Sequence, residues 1–437
     1  MKFRFYLISL LAISALMSCT KDDDPGIDVP DMTPDANFSL AVENLQTKAL
    51  AEGAIDPKDR ITKLSVIVYI GDDYYTMKDT VLSAEQKKDP KVTLLEVKNI
   101  AVKSGNVKIL VLANAENSAD FKDQSLADAL KIKTSGLQKE KHSQLTMSSG
   151  VISTTLGVSV HNYLGYDKSD AEGIKVCSKE PVKLYRNVGR IQLSGLTLQK
   201  KTDYGEAVSF KLKKIYVENA KNHSYLASQQ EWGTVEVASE NVAGFWSQGI
   251  LGKKGEYNAN TFDYSVENKD LLYDFTTSHA WSDFTYYDEN TSEDKPMSNI
   301  MLDFTGGLSY ICNNIQTADN VVFPIGNFFY AYENKAIVPG AQTRLVLCGD
   351  YTYIPTGTTE AKTNTDAIYA FVINETGADV PNDLTAHKGI MRNTKYSISL
   401  TIKGPGSSTG DSDSRAYLGA KVTVKKWGLI EINDRVD

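Results

Sequence analysis

Apolar and polar residues alternate at a period of two along much of the chain, the pattern of strands with one face in a core. Phe38, Leu40 and Val42 alternate with Ser39, Ala41 and Glu43. Leu64, Val66, Val68 and Ile70 form one face of a second strand, whose other face carries Ser65, Ile67 and Tyr69. Residues 107–113 are apolar throughout except Lys108, as expected of a strand buried on both faces. Further strands are expected over residues 182–185, 191–198, 208–217, 344–348, 368–373, 396–402 and 418–424. Clusters of Gly, Asp, Asn and Ser separate them, the punctuation of a β-sandwich. Leu126 and Leu130, at helical spacing, predict one short helix over residues 125–131. No βαβ alternation and no solenoid-length repeat appears.

Composition narrows the function classes. With 47 Lys and Arg against 55 Asp and Glu, the net charge is −8, and no long basic cluster offers a surface for phosphates. A chain of 437 residues has ample length for two or three domains. The five His and four Cys are scattered, so neither a metal cage nor a disulfide framework is expected. Cys348 lies in the apolar run Leu345-Val346-Leu347-Cys348, which predicts a small buried side chain.

The amino terminus carries an address. Met1-Lys2-Phe3-Arg4 is a short basic start, and the apolar run after it is too short for a comfortable membrane span. Leu16-Met17-Ser18-Cys19 resembles a bacterial lipobox, which implies cleavage before Cys19 and a covalent lipid on it. Thr20-Lys21-Asp22-Asp23-Asp24 and the Pro- and Asp-rich stretch that follows read as a solvated tether; they also resemble a Lys-acidic export signal of surface lipoproteins. Acyl chains would then be the membrane anchor.

Catalytic signatures are missing. There is no HExxH, CxxC or GxSxG, and Gly404-Pro405-Gly406 lacks the Lys-Ser/Thr of a phosphate loop. His142, His161, His223, His279 and His387 stand apart from Ser or Cys in any local signature, so no catalytic residue, metal ligand or cofactor is assigned. Residues 220–301 are rich in aromatics, among them Trp232, Trp246 and Trp281; they read either as a surface excursion packed by its own rings or as stacking platforms for sugars.

Several segments, in order, resemble the fimbrilins, the major structural subunits of the type V pili of Gram-negative bacteria. They are the lipobox with the strand near residues 37–45, then Arg60-Ile61-Thr62-Lys63-Leu64, then Val107-Lys108-Ile109-Leu110-Val111. After these come Val182-Lys183-Leu184-Tyr185-Arg186-Asn187-Val188-Gly189-Arg190, then Arg392-Asn393-Thr394-Lys395-Tyr396 and Val422-Thr423-Val424-Lys425-Lys426-Trp427.

The resemblance implies an all-β protein of two transthyretin-like Greek-key β-sandwich domains with a minor helix. Its divisions are a signal peptide (1–18), a lipidated tether with a removable strand (19–48), an N-terminal domain (49–185) and a C-terminal domain (186–437). That last domain includes a donor-strand tail (416–437). In such proteins a trypsin-like protease cuts after an Arg beyond the first strand. The strand departs, and the C-terminal segment of the next subunit fills the groove. Here Lys48 stands at that place, so Lys48-Ala49 is the expected cut and Arg60-Ile61 the second choice. The displaced strand would carry Phe38, Leu40, Val42 and Leu45. Donor candidates are Leu418, Ala420, Val422 and Val424 or, further on, Leu429 and Ile432, and the pattern does not choose between the two pieces. The implied partners are copies of itself head to tail, anchor and tip subunits, the processing protease and, before cleavage, the outer membrane. The implied place is the outer membrane and then the surface fimbrium, serving adhesion. An anchor or tip subunit of the same pilus and a glycan-binding surface lipoprotein are the alternatives.

Overall fold

The computed structural model describes residues 32–43, 61–82, 94–135, 137, 140, 144–166, 169, 171–221, 223–227, 329–335, 342–382, 384, 386–407 and 417–426. It adds the backbone of short strands between 245 and 328. Of the site candidates, histidines and tryptophans named above, Cys19, Leu45, Lys48, Ala49, Arg60, His142, Trp232, His279, Trp281, Trp427, Leu429 and Ile432 lie outside the described residues, and of Trp246 only the backbone is described.

The first ten strands are β1 (Ala36–Glu43), β2 (Lys63–Ile70), β3 (Asp73–Val81), β4 (Leu94–Val102), β5 (Gly105–Ala113), β6 (Met147–Ser148), β7 (Ile152–Leu156), β8 (His161–Leu164), β9 (Ile174–Ser178) and β10 (Tyr185–Arg186). They make two sheets. The first runs β4-β1-β8-β9 and the second β10-β6-β5-β2-β3, with β7 also on β5. Phe38, Leu40 and Val42 of β1, Val97 and Val102 of β4 and Leu164 of β8 meet Leu64, Val66 and Val68 of β2 and Ile109 and Val111 of β5 in one apolar cluster. The other face of the second sheet is buried as well. Ile67, Tyr69, Leu110 and Leu112 pack under Phe121, under Leu126 and Ala129 of the helix α1 (Leu126–Ala129), and under Leu226 and Ala227. The Ser125 side chain caps that helix by accepting the Asp128 N–H. Cover on both sides accounts for the apolar run of residues 109–113 in β5.

The remaining strands begin with β11 (Val188–Gln199), β12 (Lys201–Thr202), β13 (Gly205–Glu218) and β14 (Ala220–Lys221). Next come β15 (Phe245–Trp246), β16 (Leu272–Asp274), β17 (Thr285–Asp288), β18 (Glu293–Pro296), β19 (Ile300–Asp303), β20 (Ile315–Gln316), β21 (Asn320–Phe323) and β22 (Phe328–Tyr332). The last are β23 (Arg344–Pro355), β24 (Lys362–Val372), β25 (Thr394–Ile402) and β26 (Leu418–Lys426). A third sheet runs β20-β21-β11-β25-β26, with β22 on β11, and a fourth runs β12-β13-β23-β24, with β16 and β19 on β13. Ile191, Leu193, Ile398, Leu400 and Ile402 of the third sheet share a cluster with Phe210, Ile215, Leu345, Leu347 and Tyr369 of the fourth. Cys348 is 1% exposed on β23, as its apolar run predicts.

One expected strand is mostly absent. Residues 182–185 form only a parallel bridge of Val182 to Val42 and then the two-residue β10. The stretch follows Pro181 and runs beside β1 beyond the end of β8, where one bond, Val182 N–H to the Ala41 carbonyl at 3.0 Å, is made.

Asn187 is the single residue between β10 of the second sheet and β11 of the third. It is fully buried, and its carboxamide is held from several directions. Its Oδ1 accepts from Ser148 Oγ at 3.2 Å and Arg392 Nη1 at 3.3 Å, and its Nδ2 donates to the Leu226 carbonyl at 3.1 Å. Arg392 also donates to Glu333 Oε2 at 2.7 Å, Ser224 Oγ at 3.1 Å and the Tyr225 carbonyl at 2.7 Å. Arg186 Nη1 donates to Asn393 Oδ1 at 3.1 Å. The segments 185–190 and 392–396, far apart in sequence, therefore meet in one buried polar junction.

Candidate functional site

The strand expected to be removable is an interior strand. β1 lies antiparallel to β4, with Ala36 opposite Val102 and Val42 opposite Leu95, and parallel to β8, with Phe38 opposite Asn162 and Leu40 opposite Leu164. It therefore fills a slot whose two walls are the edges of β4 and β8 and whose floor is the second sheet. Phe38, Leu40 and Val42 are completely buried there, and Ala36 is 6% exposed. Burying three such side chains contributes roughly 5–9 kcal/mol as an upper estimate.

Polar groups fix the register at the entrance. The Asp35 carboxylate accepts the Ser104 N–H at 2.6 Å and its hydroxyl at 3.1 Å, and it lies 3.1 Å from Lys103 Nζ. These contacts, the Ser104 backbone bond foremost, lower the Asp35 carboxyl below its ordinary range. Asn162, fully buried on β8, donates to the Asn37 carbonyl at 3.2 Å.

Ser39 and Ala41 point away from the core, yet they are 3% and 0% exposed. Between Phe38 and Leu40 the register with β4 slips by a bulge containing Asn99, which has a φ of 55°. The Asn99 N–H freed by the bulge donates to Ser39 Oγ at 3.2 Å, and that hydroxyl shares a 2.8 Å hydrogen bond with His161 Nε2. Ala41 faces Glu96 across the ladder. Its carbonyl lies so close to Gly165 (φ +86°) that a Cβ there would sit 2.5 Å away. The alternation had marked Ser39 and Ala41 as a plain outer face, because a period of two assigns faces but not what covers them.

At the other end of the chain, Leu418, Ala420, Val422 and Val424 lie on β26, at the edge of the third sheet and in unbroken antiparallel register with β25 from Thr394–Lys426 to Ile402–Leu418. Only Val424, at 3% exposure, is buried; Leu418 and Val422 are half-buried and Ala420 is exposed. Ile61, beside the second-choice cut, is 5% exposed in the cluster beneath the slot. Among the described residues, no three His, Cys, Asp or Glu side chains converge as a metal site.

Residues 36–186, which run from the first residue of β1 to the last of β10, match the family model of the major fimbrial subunit protein (FimA). The major fimbrium subunit FimA type-2 of Porphyromonas gingivalis is 22% identical over 435 residues, covering 99% of each chain. Fim1C of Parabacteroides distasonis, a candidate fimbrium tip subunit, is 27% identical over 69% of this chain and 76% of its own. Among solved structures, a candidate cell adhesion protein from Parabacteroides distasonis superposes with a TM-score of 0.66 at 24% identity, covering 91% of this chain and all of that one. A Porphyromonas gingivalis fimbrilin shares the fold at a TM-score of 0.54 and 17% identity, covering 91% and 99%. The chain is thus similar in sequence to major fimbrium subunits over nearly its whole length and shares the fold of a solved fimbrilin.

Proposed function

We propose that the protein is a structural subunit of a surface fimbria that assembles by strand exchange and serves adhesion. The observation that carries this reading is the position of β1: an interior strand, lining a core, at the amino-terminal end of the described fold. A cut within residues 44–60 severs β1 from β2 without touching any other described strand. Its departure leaves two unpaired strand edges over an apolar floor, a site for a strand from a neighbouring subunit. The contact joins different surfaces of the two partners, so it need not close and extends as an open filament.

The cut falls at Lys48-Ala49, with Arg60-Ile61 second, and the precursor is a lipoprotein acylated at Cys19 on the outer membrane before it enters the fimbrium. The burial of Ile61 makes the bond before it less accessible to a protease, which favours Lys48-Ala49 over Arg60-Ile61. The C-terminal segment, β26 or the residues after it, is the part offered to a neighbour. A terminal position in the fimbria is the second reading, favoured by the similarity to the Parabacteroides distasonis tip subunit. Sequencing the amino terminus of the protein recovered from cells tests the proposal. A start at Ala49 or Ile61 in fimbrial material supports it, and an acylated Cys19 as the sole start overturns it.

A further inference from the structure

The two walls of the slot are not held alike. β8 pairs with β9 on its far side, with His161 opposite Ile174 and Tyr163 opposite Val176. Asn162 also ties β8 to the turn before it. It accepts the Gly157 N–H at 2.7 Å and donates to the Gly157 carbonyl at 3.1 Å and the Val160 carbonyl at 3.2 Å. These bonds do not involve β1, so this wall stands without it. β4 is the outer strand of its sheet and, among the described strands, pairs with β1 alone. Two further links, Asp35 N–H to the Val102 carbonyl and Asn99 N–H to Ser39 Oγ, both at 3.2 Å, leave together with β1. β4 is then packed through Leu95, Val97, Ile100 and Val102 on a core from which Phe38, Leu40 and Val42 have gone.

One side chain of the second sheet reaches β4 across the gap. Lys78 lies on β3, the edge strand, opposite Val66 of β2. Cross-strand partners share a face, and Val66 is a core residue, so Lys78 stands on the core face at the rim of the sandwich. Its ammonium donates to the Lys98 carbonyl at 2.6 Å and to the Asn99 carbonyl at 3.2 Å. Those two residues are the bulge of β4: both lie opposite Ser39, between the pairs Phe38–Ile100 and Leu40–Val97. A lysine suits the task. The sheets of a sandwich lie about 10 Å apart, which its long flexible stem helps to span, and its head offers several donors to main-chain oxygens. A lysine turned inward at an edge also deters edge-to-edge pairing, yet that role does not call for both bonds to fall on the bulge.

We propose that Lys78 is a positioning residue of the strand-exchange slot: it pins the β4 bulge to the second sheet while the slot is empty, so that an incoming strand meets two walls instead of one. The inference rests on the strand-exchange reading above and concerns the state between release of β1 and arrival of the next strand. With β1 in place the ladder holds β4, and the Lys78 bonds are one contribution among many. With β1 gone they decide whether β4 stays docked. A slot whose β4 wall is docked for a fraction of the time binds its strand more weakly by that fraction, because strand entry must first reorder the wall. The same logic separates this role from plain stabilisation. A bond present equally before and after strand entry cancels from the affinity, whereas one that preorganises the empty slot does not.

The test uses the full chain with a protease recognition sequence inserted in the connection 44–60 and then cut, so that β1 is held by the slot alone. Dilution of the cut protein, followed by native mass spectrometry, gives the dissociation constant of the β1 fragment. Brief trypsin treatment of the emptied protein reads the wall, since cleavage after Lys98 requires β4 to come away. Lys78→Met keeps the stem and removes the donors. It is expected to raise the dissociation constant about tenfold, for the loss of two charge-assisted hydrogen bonds at a half-buried site. With the slot empty it should be cut after Lys98 at least about tenfold faster than wild type. With an excess of a synthetic copy of residues 34–44 filling the slot, both should resist. Lys78→Arg, which keeps the charge and the donors, should stay close to wild type in both readings. A lower urea midpoint for the uncut Lys78→Met chain, with dissociation constant and cleavage unchanged, overturns the proposal. Free cleavage after Lys98 in the emptied wild type also overturns it. If the β1 fragment cannot be exchanged for the added copy of residues 34–44, strand exchange itself is overturned.

Discussion

Phe38 offers the most direct measure of how tightly the slot holds its strand. The ring is completely buried, opposite Ile100 on β4 and Asn162 on β8, in the cluster between the first two sheets. Phe38→Ala removes the ring and leaves a cavity between two sheets whose other strands are fixed by their own ladders, so little collapse is available. The expected loss of stability is about 3–5 kcal/mol. In a chain cut between β1 and β2, the same loss falls on the retention of β1. At 1.4 kcal/mol per decade, the released fraction should rise on the order of a hundredfold or more. Ile398→Ala, in the cluster between the third and fourth sheets, serves as the control. It should lower the urea midpoint of the uncut chain by a similar amount yet leave β1 release unchanged. Urea denaturation of the uncut variants and size-exclusion chromatography of the cut ones supply the two readings. The reasoning fails if Phe38→Ala costs less than about 1 kcal/mol, or if both variants release β1 alike.

Gly165→Ala forces a Cβ to 2.5 Å from the Ala41 carbonyl at a φ of +86°, and should loosen β1 in the cut chain while leaving the unfolding of the third and fourth sheets unmoved; hydrogen exchange of the two regions reads this. Arg392→Leu strands the Glu333 carboxylate in the buried junction and is expected to cost about 3–5 kcal/mol by urea denaturation, most of it recovered when Glu333→Leu is added. The Lys221 ammonium is lowered by burial to about 8 from an ordinary value of 10.5. The unfolded chain then binds the extra proton between these values, so this group's contribution to stability rises as pH goes from about 8 to 10. Lys221→Met should stabilise the protein at pH 7 by up to roughly 3 kcal/mol, and the advantage should shrink toward pH 10, as paired denaturation curves will show.

The chain's own sequence reveals β1 and β26 by the same sign, a period-two alternation, and that sign is blind to the difference that matters between them. Phe38-Ser39-Leu40-Ala41-Val42 and Val422-Thr423-Val424 look alike, yet one is the second strand of a four-stranded sheet and the other the edge of its sheet. The distinction depends on which strands flank them, and β8, the neighbour that makes β1 interior, arrives about 120 residues later in the chain. The same limit hides the junction of Asn187, Arg392 and Glu333, since no local pattern announces a polar residue buried by partners 59 and 205 positions away. Where the partners are local or the run is apolar on both faces, as at Ser125 and in β5, the reading needs no tertiary knowledge. The outer face of β1 is the instructive case. Ser39 and Ala41 satisfy the rule that a polar or small residue alternates with an apolar one, so nothing marks them as buried. What closes in on them comes from far along the chain, His161 on the Ser39 hydroxyl and the backbone of Gly165 against the Ala41 carbonyl, so burial on that face follows from the neighbours and not from the alternation.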